Sequence, residues 1–195
     1  LLAGDFAYKF KKEIKYSFLD FSTLEQRKYF CEREVLLNNR FTKGLYLGVV
    51  PVRQQGSEIW VDGIEGKVID YAIKMKRLKE DRQMHRMLEH HQVTLKHIKD
   101  VASTLRKFHQ QTTIIHQPFD RGVFASRFND LQSVADFIGI ALGPSSADII
   151  ANAVRTSDAF LKDHQGLFSK RVADGWVRDC HGDLHSRNIF LYARP

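Results

Sequence analysis

His181-Gly182-Asp183-Leu184-His185-Ser186-Arg187-Asn188 is the stretch on which the reading of this chain turns. It packs two histidines, an aspartate and an asparagine into eight residues and runs directly into the apolar segment Ile189-Phe190-Leu191-Tyr192. An Asp and an Asn five positions apart, on a loop entering a buried strand, supply two complementary groups. One carboxylate can accept a proton, and one side-chain oxygen can hold a hard cation. Asp and Asn also shape turns, and either alone would be structural. The whole set in register, just before a predicted strand over 189–191, is what asks for a chemical explanation.

The spacing fits phosphoryl transfer. There a carboxylate takes the proton of the attacking hydroxyl and an amide oxygen holds Mg²⁺ on the nucleotide phosphates. The kinase pattern H-R-D-L-x-x-x-N is matched by His181, Asp183, Leu184 and Asn188, with Gly182 in place of Arg. A zinc reading of His181 and His185 is weaker, because His-x-x-x-His suits a helix and Gly182 disfavours one.

HGDLHSRN resembles the catalytic loop of the aminoglycoside phosphotransferase and choline kinase group, small-molecule kinases with a protein-kinase-like fold. The segments YKFKK, LDFSTLEQR, EVLLNNR and LYLGVVPV look like an uncharacterised bacterial branch of these enzymes. The resemblance implies an ATP- and Mg²⁺-dependent transfer to the hydroxyl of a small-molecule acceptor. It makes Asp183 the base and Asn188 the metal ligand. It also implies a Lys that holds the phosphates and pairs with a Glu on the following helix, and a hinge beside the adenine. Two rivals are a protein kinase and a catalytically silent kinase-like module that binds nucleotide or a partner. Gly182 and His185 depart from the protein-kinase pattern, and no G-x-x-x-x-G-K-[ST] stretch offers a P-loop.

The rest of the chain is read for the pieces that fit this frame. Residues 6–10 (FAYKF) form a strand candidate. A helix is expected over 23–41, capped by Asp20 or Ser22 with Glu25 completing a capping box. On it Phe30, Glu34, Leu37 and Phe41 share one face, so Glu34 is a carboxylate on an apolar stripe; Glu32 replaces it if the phase differs. Strands are expected over 45–53, 59–61 and 68–75, with turns at 54–57 and 62–63. Lys9 and Lys74 compete for the phosphate-holding role. Lys9 precedes the helix bearing Glu34, whereas Lys74 lies on the last strand, so topology favours Lys9. Lys9 and Lys11 share a strand face, and alternation alone does not separate them. Met75, Lys76, Arg77 and Leu78 become the hinge.

Helices follow: 80–91, then 95–111 with Ile98, Ala102, Leu105 and His109 on one face, then 120–142, stopped by Gly143-Pro144, then a fourth to about 165. The expected architecture is α+β and two-lobed, with a small antiparallel sheet and one helix over 1–77 and a helical lobe over 78–195. The short run before Lys9 and the seven residues after Asn188 suggest a chain cut at both ends, lacking a nucleotide-covering loop and a second metal-binding Asp.

Composition sets the outer bounds. The chain has 195 residues, 43% hydrophobic, with a net charge of +7, enough for one large domain or two small ones. It contains no apolar run long enough to cross a bilayer, no signal-peptide pattern, no zinc-finger spacing and no RNA-binding aromatic signature. Neither membrane nor nucleic acid is the expected partner. Two cysteines, Cys31 and Cys180, build no disulfide framework, and a cytoplasmic location is expected.

Overall fold

In the computed structural model, which describes residues 1–16, 19–42 and 44–192, the chain is α+β, with an antiparallel sheet and a helical part. It divides into two compact units. One comprises Leu1–Phe108 with His181–Pro195, the other His109–Cys180.

In the first unit, β1 (Leu2–Ala3), β2 (Phe6–Phe10), β5 (Tyr46–Gln55), β6 (Glu58–Val61) and β7 (Lys67–Lys76) form one sheet in the order β1-β2-β7-β5-β6. Every pairing is antiparallel. β3 (Lys15–Tyr16) and β4 (Leu19–Asp20) make a separate two-stranded ribbon. The long strands are rich in β-branched and aromatic residues, which suit a half-buried pleated surface. Register shifts at 46–48 and 52–53 interrupt the pairing of β5 with β7, as bulges do.

Side-chain alternation gives the sheet two distinct faces. Val50, Val52 and Ala72 pack together on one, with Tyr8, Val61 and Ile69 against them. Lys9, Ile73 and Val49 are directly opposed across the strands and therefore share the other face. The helix α1 (Leu24–Asn38) packs against β7 and β5. Ile73 and Cys31 are the largest fully buried side chains.

Thr23 caps α1, its hydroxyl accepting from the Gln26 backbone N–H at 3.2 Å. The expected caps, Asp20 and Ser22, are instead used on each other. Asp20 Oδ1 accepts from the Ser22 backbone N–H at 2.9 Å and from its hydroxyl at 2.6 Å, which draws the Asp20 carboxyl down to about 2, the hydroxyl's bond being the largest influence. The capping-box spacing shifts by one residue, to Thr23 and Gln26. The helix also stops earlier than expected, at Asn38, and Phe41 lies in the turn beyond it.

Among the described residues Arg27 is the buried charge of this unit. Its Nε donates to Asp70 Oδ1 on β7 at 2.8 Å, and its Nη1 to the Phe21 carbonyl at 3.1 Å. It thus ties α1 to the sheet and to the segment entering it, and satisfies much of what a buried guanidinium requires.

The expected helix over 80–91 is two pieces, a 3₁₀ turn at Glu80–Arg82 and α2 (Met84–Glu89). Gln83 between them is extended, with ψ at 126°. α3 (Leu95–Gln111) has the expected bounds but a different inward face. His97, Asp100, Val101, Leu105 and Phe108 are the half-buried positions; of the expected face Leu105 is among them, while Ile98, Ala102 and His109 are exposed. The face is rotated by one residue, about 100°.

In the second unit, the single helix expected over 120–142 is three segments: α4 (Arg121–Asn129), a 3₁₀ turn (Asp130–Val134) and α5 (Ala135–Leu142). Ser133 returns its hydroxyl to the Asp130 carbonyl at 2.6 Å, a local bond that competes with helix continuation. Gly143, at φ 99°, ends α5, and Pro144 opens α6 (Pro144–Asp163). α7 (Gln165–Ala173) was not expected. Phe119 stacks on Phe168 with centroids 4.6 Å apart, and Val154 and Leu161 of α6 are buried. Among the described residues no helix is long and apolar enough to cross a membrane.

Candidate functional site

Within the first unit lies a cleft of about 1220 Å³. Sheet residues Lys9, Tyr46 and Met75 line one side, and Phe30, Glu34 and Leu37 of α1 the next. His97, Val101 and Leu105 of α3 line a third. His181, Asp183 and Asn188 complete it with the segment 189–192.

Glu34 is the charged centre of the sheet side. Its Oε1 receives Lys9 Nζ at 2.8 Å, and its Oε2 receives Lys11 Nζ. Burial pushes the Glu34 carboxyl upward, but the hydrogen bonds from Lys11 and Lys9, with their charges, outweigh it and hold the group below its ordinary 4.5. Glu32 lies away from this cluster, exposed, 3.8 Å from Lys28 on the helix surface. Lys74 lies on the opposite sheet face, opposed to Tyr8. It pairs with Asp62 at 2.6 Å and sits over the Phe6 ring at 4.9 Å. Tyr46 lines the cleft beside Glu34, and burial raises its hydroxyl above the ordinary value.

Met75 and Leu78 line the cleft, whereas Lys76 and Arg77 are exposed and outside its lining. Lys76 N–H donates to the Leu45 carbonyl at 3.0 Å and Arg77 N–H to the Asp5 carbonyl at 2.8 Å, so this stretch is held by backbone bonds on both flanks.

The segment that begins at His181 is built by short-range bonds. Gly182 takes φ 80°, a left-handed turn that a side chain would strain. His181 Nδ1 accepts the Asp183 backbone N–H at 3.3 Å, and its ring meets Phe41 edge-on at 5.0 Å. His185 caps a 3₁₀ turn (Ser186–Asn188) by accepting the Arg187 N–H at 3.3 Å. Asn188 Nδ2 donates to the Asp183 carbonyl at 2.9 Å and to Asp183 Oδ2 at 3.1 Å. The carboxylate of Asp183 is 78% exposed, so a ligand can reach it directly.

The predicted strand over 189–191 is an isolated bridge between Phe190 and Gln83 rather than a strand of a sheet. Ile189 accepts the Met84 N–H at 2.8 Å, and Leu191 N–H donates to the Arg82 carbonyl at 2.8 Å. Farther on, the Tyr192 hydroxyl accepts the Lys79 backbone N–H at 2.9 Å, next to Leu78. The segment after the loop is therefore stitched to the start of the helical part.

Sequence reasoning missed Lys11 as a partner of Glu34, and the polar face of α3, where His97 and Asp100 reach the cleft. The shared strand face of Lys9 and Lys11 was the signal for the first.

Among the described residues, no three His, Cys, Asp or Glu side chains converge into a metal-binding group. Asp183 and Asn188 bring a carboxylate and an amide together, the amide nitrogen turned to the carboxylate and the amide oxygen left as a donor atom. Such hard oxygen donors suit Mg²⁺, which takes few protein ligands and completes its shell with phosphate and water.

The chain is similar to three curated proteins: uncharacterized protein Rv2004c and uncharacterized protein MT2060, both of Mycobacterium tuberculosis, and uncharacterized protein Mb2027c of Mycobacterium bovis. Each is 28% identical over 194 residues, which covers 98% of this chain and 37% of the relative. The chain thus spans little more than a third of the length of the relatives it matches. No family model matches the chain, and no solved structure matches it.

Proposed function

We propose that this chain is an ATP-dependent phosphotransferase with a protein-kinase-like fold, which moves the γ-phosphoryl group to a hydroxyl of a small molecule. The observation that carries the reading is that one cleft is lined by both the Lys9–Glu34 pair and the Asp183–Asn188 pair. The first pair joins residues 25 positions apart, and the second residues 5 apart within one short stretch.

The residues have distinct tasks. Lys9 holds the α- and β-phosphates, and Glu34 keeps its ammonium at the cleft until the nucleotide arrives. Met75 and Leu78 offer apolar surface to the base. Asp183 accepts the proton of the acceptor hydroxyl as its oxygen bonds to the γ-phosphorus and the bond to the ADP oxygen breaks. Asn188 is the residue that would hold a Mg²⁺ ion bound with the nucleotide, which would neutralise phosphate charge there. Asn188 orients Asp183 through its Nδ2 donation, which leaves its own Oδ1 as the atom for a cation.

The reading is tested by incubating the protein with Mg²⁺-ATP and pools of aminoglycosides, choline, sugars and nucleosides while following ADP release. One pool should raise ADP release well above ATP alone and yield a phosphorylated product. If no pool does so while the protein binds nucleotide, the catalytically silent module is the better description.

A further inference from the structure

Glu34 receives two lysines, one on each oxygen, and their surroundings differ sharply. The Lys9 side chain is 57% exposed, the Lys11 side chain 13%. Lys11 Nζ also lies 5.3 Å from the centroid of the buried Phe21 ring, a cation–π contact. Both line the same cleft. Two ammonium groups on one carboxylate leave a surplus positive charge at this end.

An enclosed ammonium that leaves its carboxylate forfeits a counter-charge in a poorly solvated place, which is costly. An exposed ammonium exchanges one anionic partner for another at little desolvation cost, since exposed pairs are weak. We propose that the two lysines divide the work: Lys11 is a positioning residue that stays on Glu34, and Lys9 is the arm that moves from Glu34 Oε1 onto a nucleotide phosphate. Glu34 then keeps a partner when Lys9 departs, so α1 is held in place with and without nucleotide. The inference rests on the phosphotransferase reading.

The test combines binding, melting and amine labelling. Lys9→Met should weaken Mg²⁺-ATP binding by about tenfold or more, the loss expected for one charge-assisted hydrogen bond, with Tm unchanged. Lys11→Met should lower Tm by several degrees, and Lys11→Arg should restore it. On the unmutated protein, brief acetylation read by peptide mass spectrometry should modify Lys9 and not Lys11, and Mg²⁺-ATP should protect Lys9. This measurement holds even if Lys11→Met does not fold. If Lys11→Met weakens nucleotide binding as much as Lys9→Met with Tm unchanged, or if nucleotide leaves Lys9 labelling unaltered, the division of labour is overturned. If the unmutated protein binds no nucleotide at all, the phosphotransferase reading fails with it, a result distinct from the other two.

Discussion

Asn188 holds Asp183 by two atoms at once, donating its Nδ2 to the Asp183 backbone oxygen at 2.9 Å and to the carboxylate Oδ2 at 3.1 Å. One amide thereby fixes both the turn and the rotamer of the carboxylate. His185 Nε2 completes the group at 3.1 Å from Asn188 Nδ2 and 3.7 Å from Asp183 Oδ1. The arrangement is exposed and short-range, so it is a local structure that the sequence can encode without help from a distant partner.

Asn188→Ala removes both donations and the candidate metal oxygen while touching nothing buried. Exposed changes of this kind cost little stability, so Tm should stay within a few degrees. Turnover should fall and demand more Mg²⁺. A titration of activity against Mg²⁺ checks this, and unchanged activity at limiting Mg²⁺ would remove Asn188 from the site.

Glu34 predicts a pH-dependent stability. Its folded value lies below the ordinary 4.5, so the ionised form is favoured in the fold. The contribution is present above the ordinary value and is lost as pH falls through the lowered one. Glu34→Gln should therefore destabilise by about 2 kcal/mol at neutral pH, the scale of a charge-assisted hydrogen bond, and the gap to the native chain should close in acid. Urea midpoints of both proteins at a series of pH values from 7 downward measure it; a gap that does not narrow as pH falls assigns the loss to packing instead.

The two cysteines should react at very different rates. Cys31 is fully buried in α1, and burial pushes its thiol up to about 11. Cys180 is exposed. Since the thiolate is the reactive form, a disulfide reagent at pH 8 should titrate one thiol quickly in the native protein and two after denaturation. Two fast thiols would mean that α1 is not seated on its sheet as described.

Much of the site was legible because its cues are local or periodic. The segment 181–188 was read from spacing, and Phe30, Glu34 and Leu37 from helical phase, and all three line the cleft; Phe41, expected on the same helix, lines it from the turn beyond. Lys9 was separated from Lys74 by strand order, and the register puts Lys74 on the other face of the sheet. What failed depended on tertiary context or on weak local competition. The apolar run 189–191 has the composition of a strand but finds only a single bridge to Gln83, and composition says nothing about partners. The expected face of α3 was Ile98, Ala102, Leu105 and His109; of these Leu105 is turned inward, and its neighbours there include polar His97 and Asp100. A polar group lining a cleft breaks the apolar stripe on which a helical phase is judged.

Asp183→Asn separates chemistry from architecture. The amide has nearly the shape of the carboxylate, and its Oδ1 can still accept from Asn188 Nδ2. Asp183 is exposed, so no buried packing changes. The loss is confined to the proton acceptor and one negative charge. Removing a positioned general base costs roughly 10²- to 10⁴-fold in turnover. Asp183→Asn should therefore bind Mg²⁺-ATP with an affinity close to that of the native chain, melt at the same temperature and turn over in that reduced range. Calorimetric titration with nucleotide, a melting curve and single-turnover phosphate transfer check the three parts separately. A silent binding module has no turnover to lose. If the acceptor is phosphorylated equally well with Asn at position 183, another group takes the proton, and the pairing of Asp183 with Asn188 is a turn-forming device rather than a catalytic one.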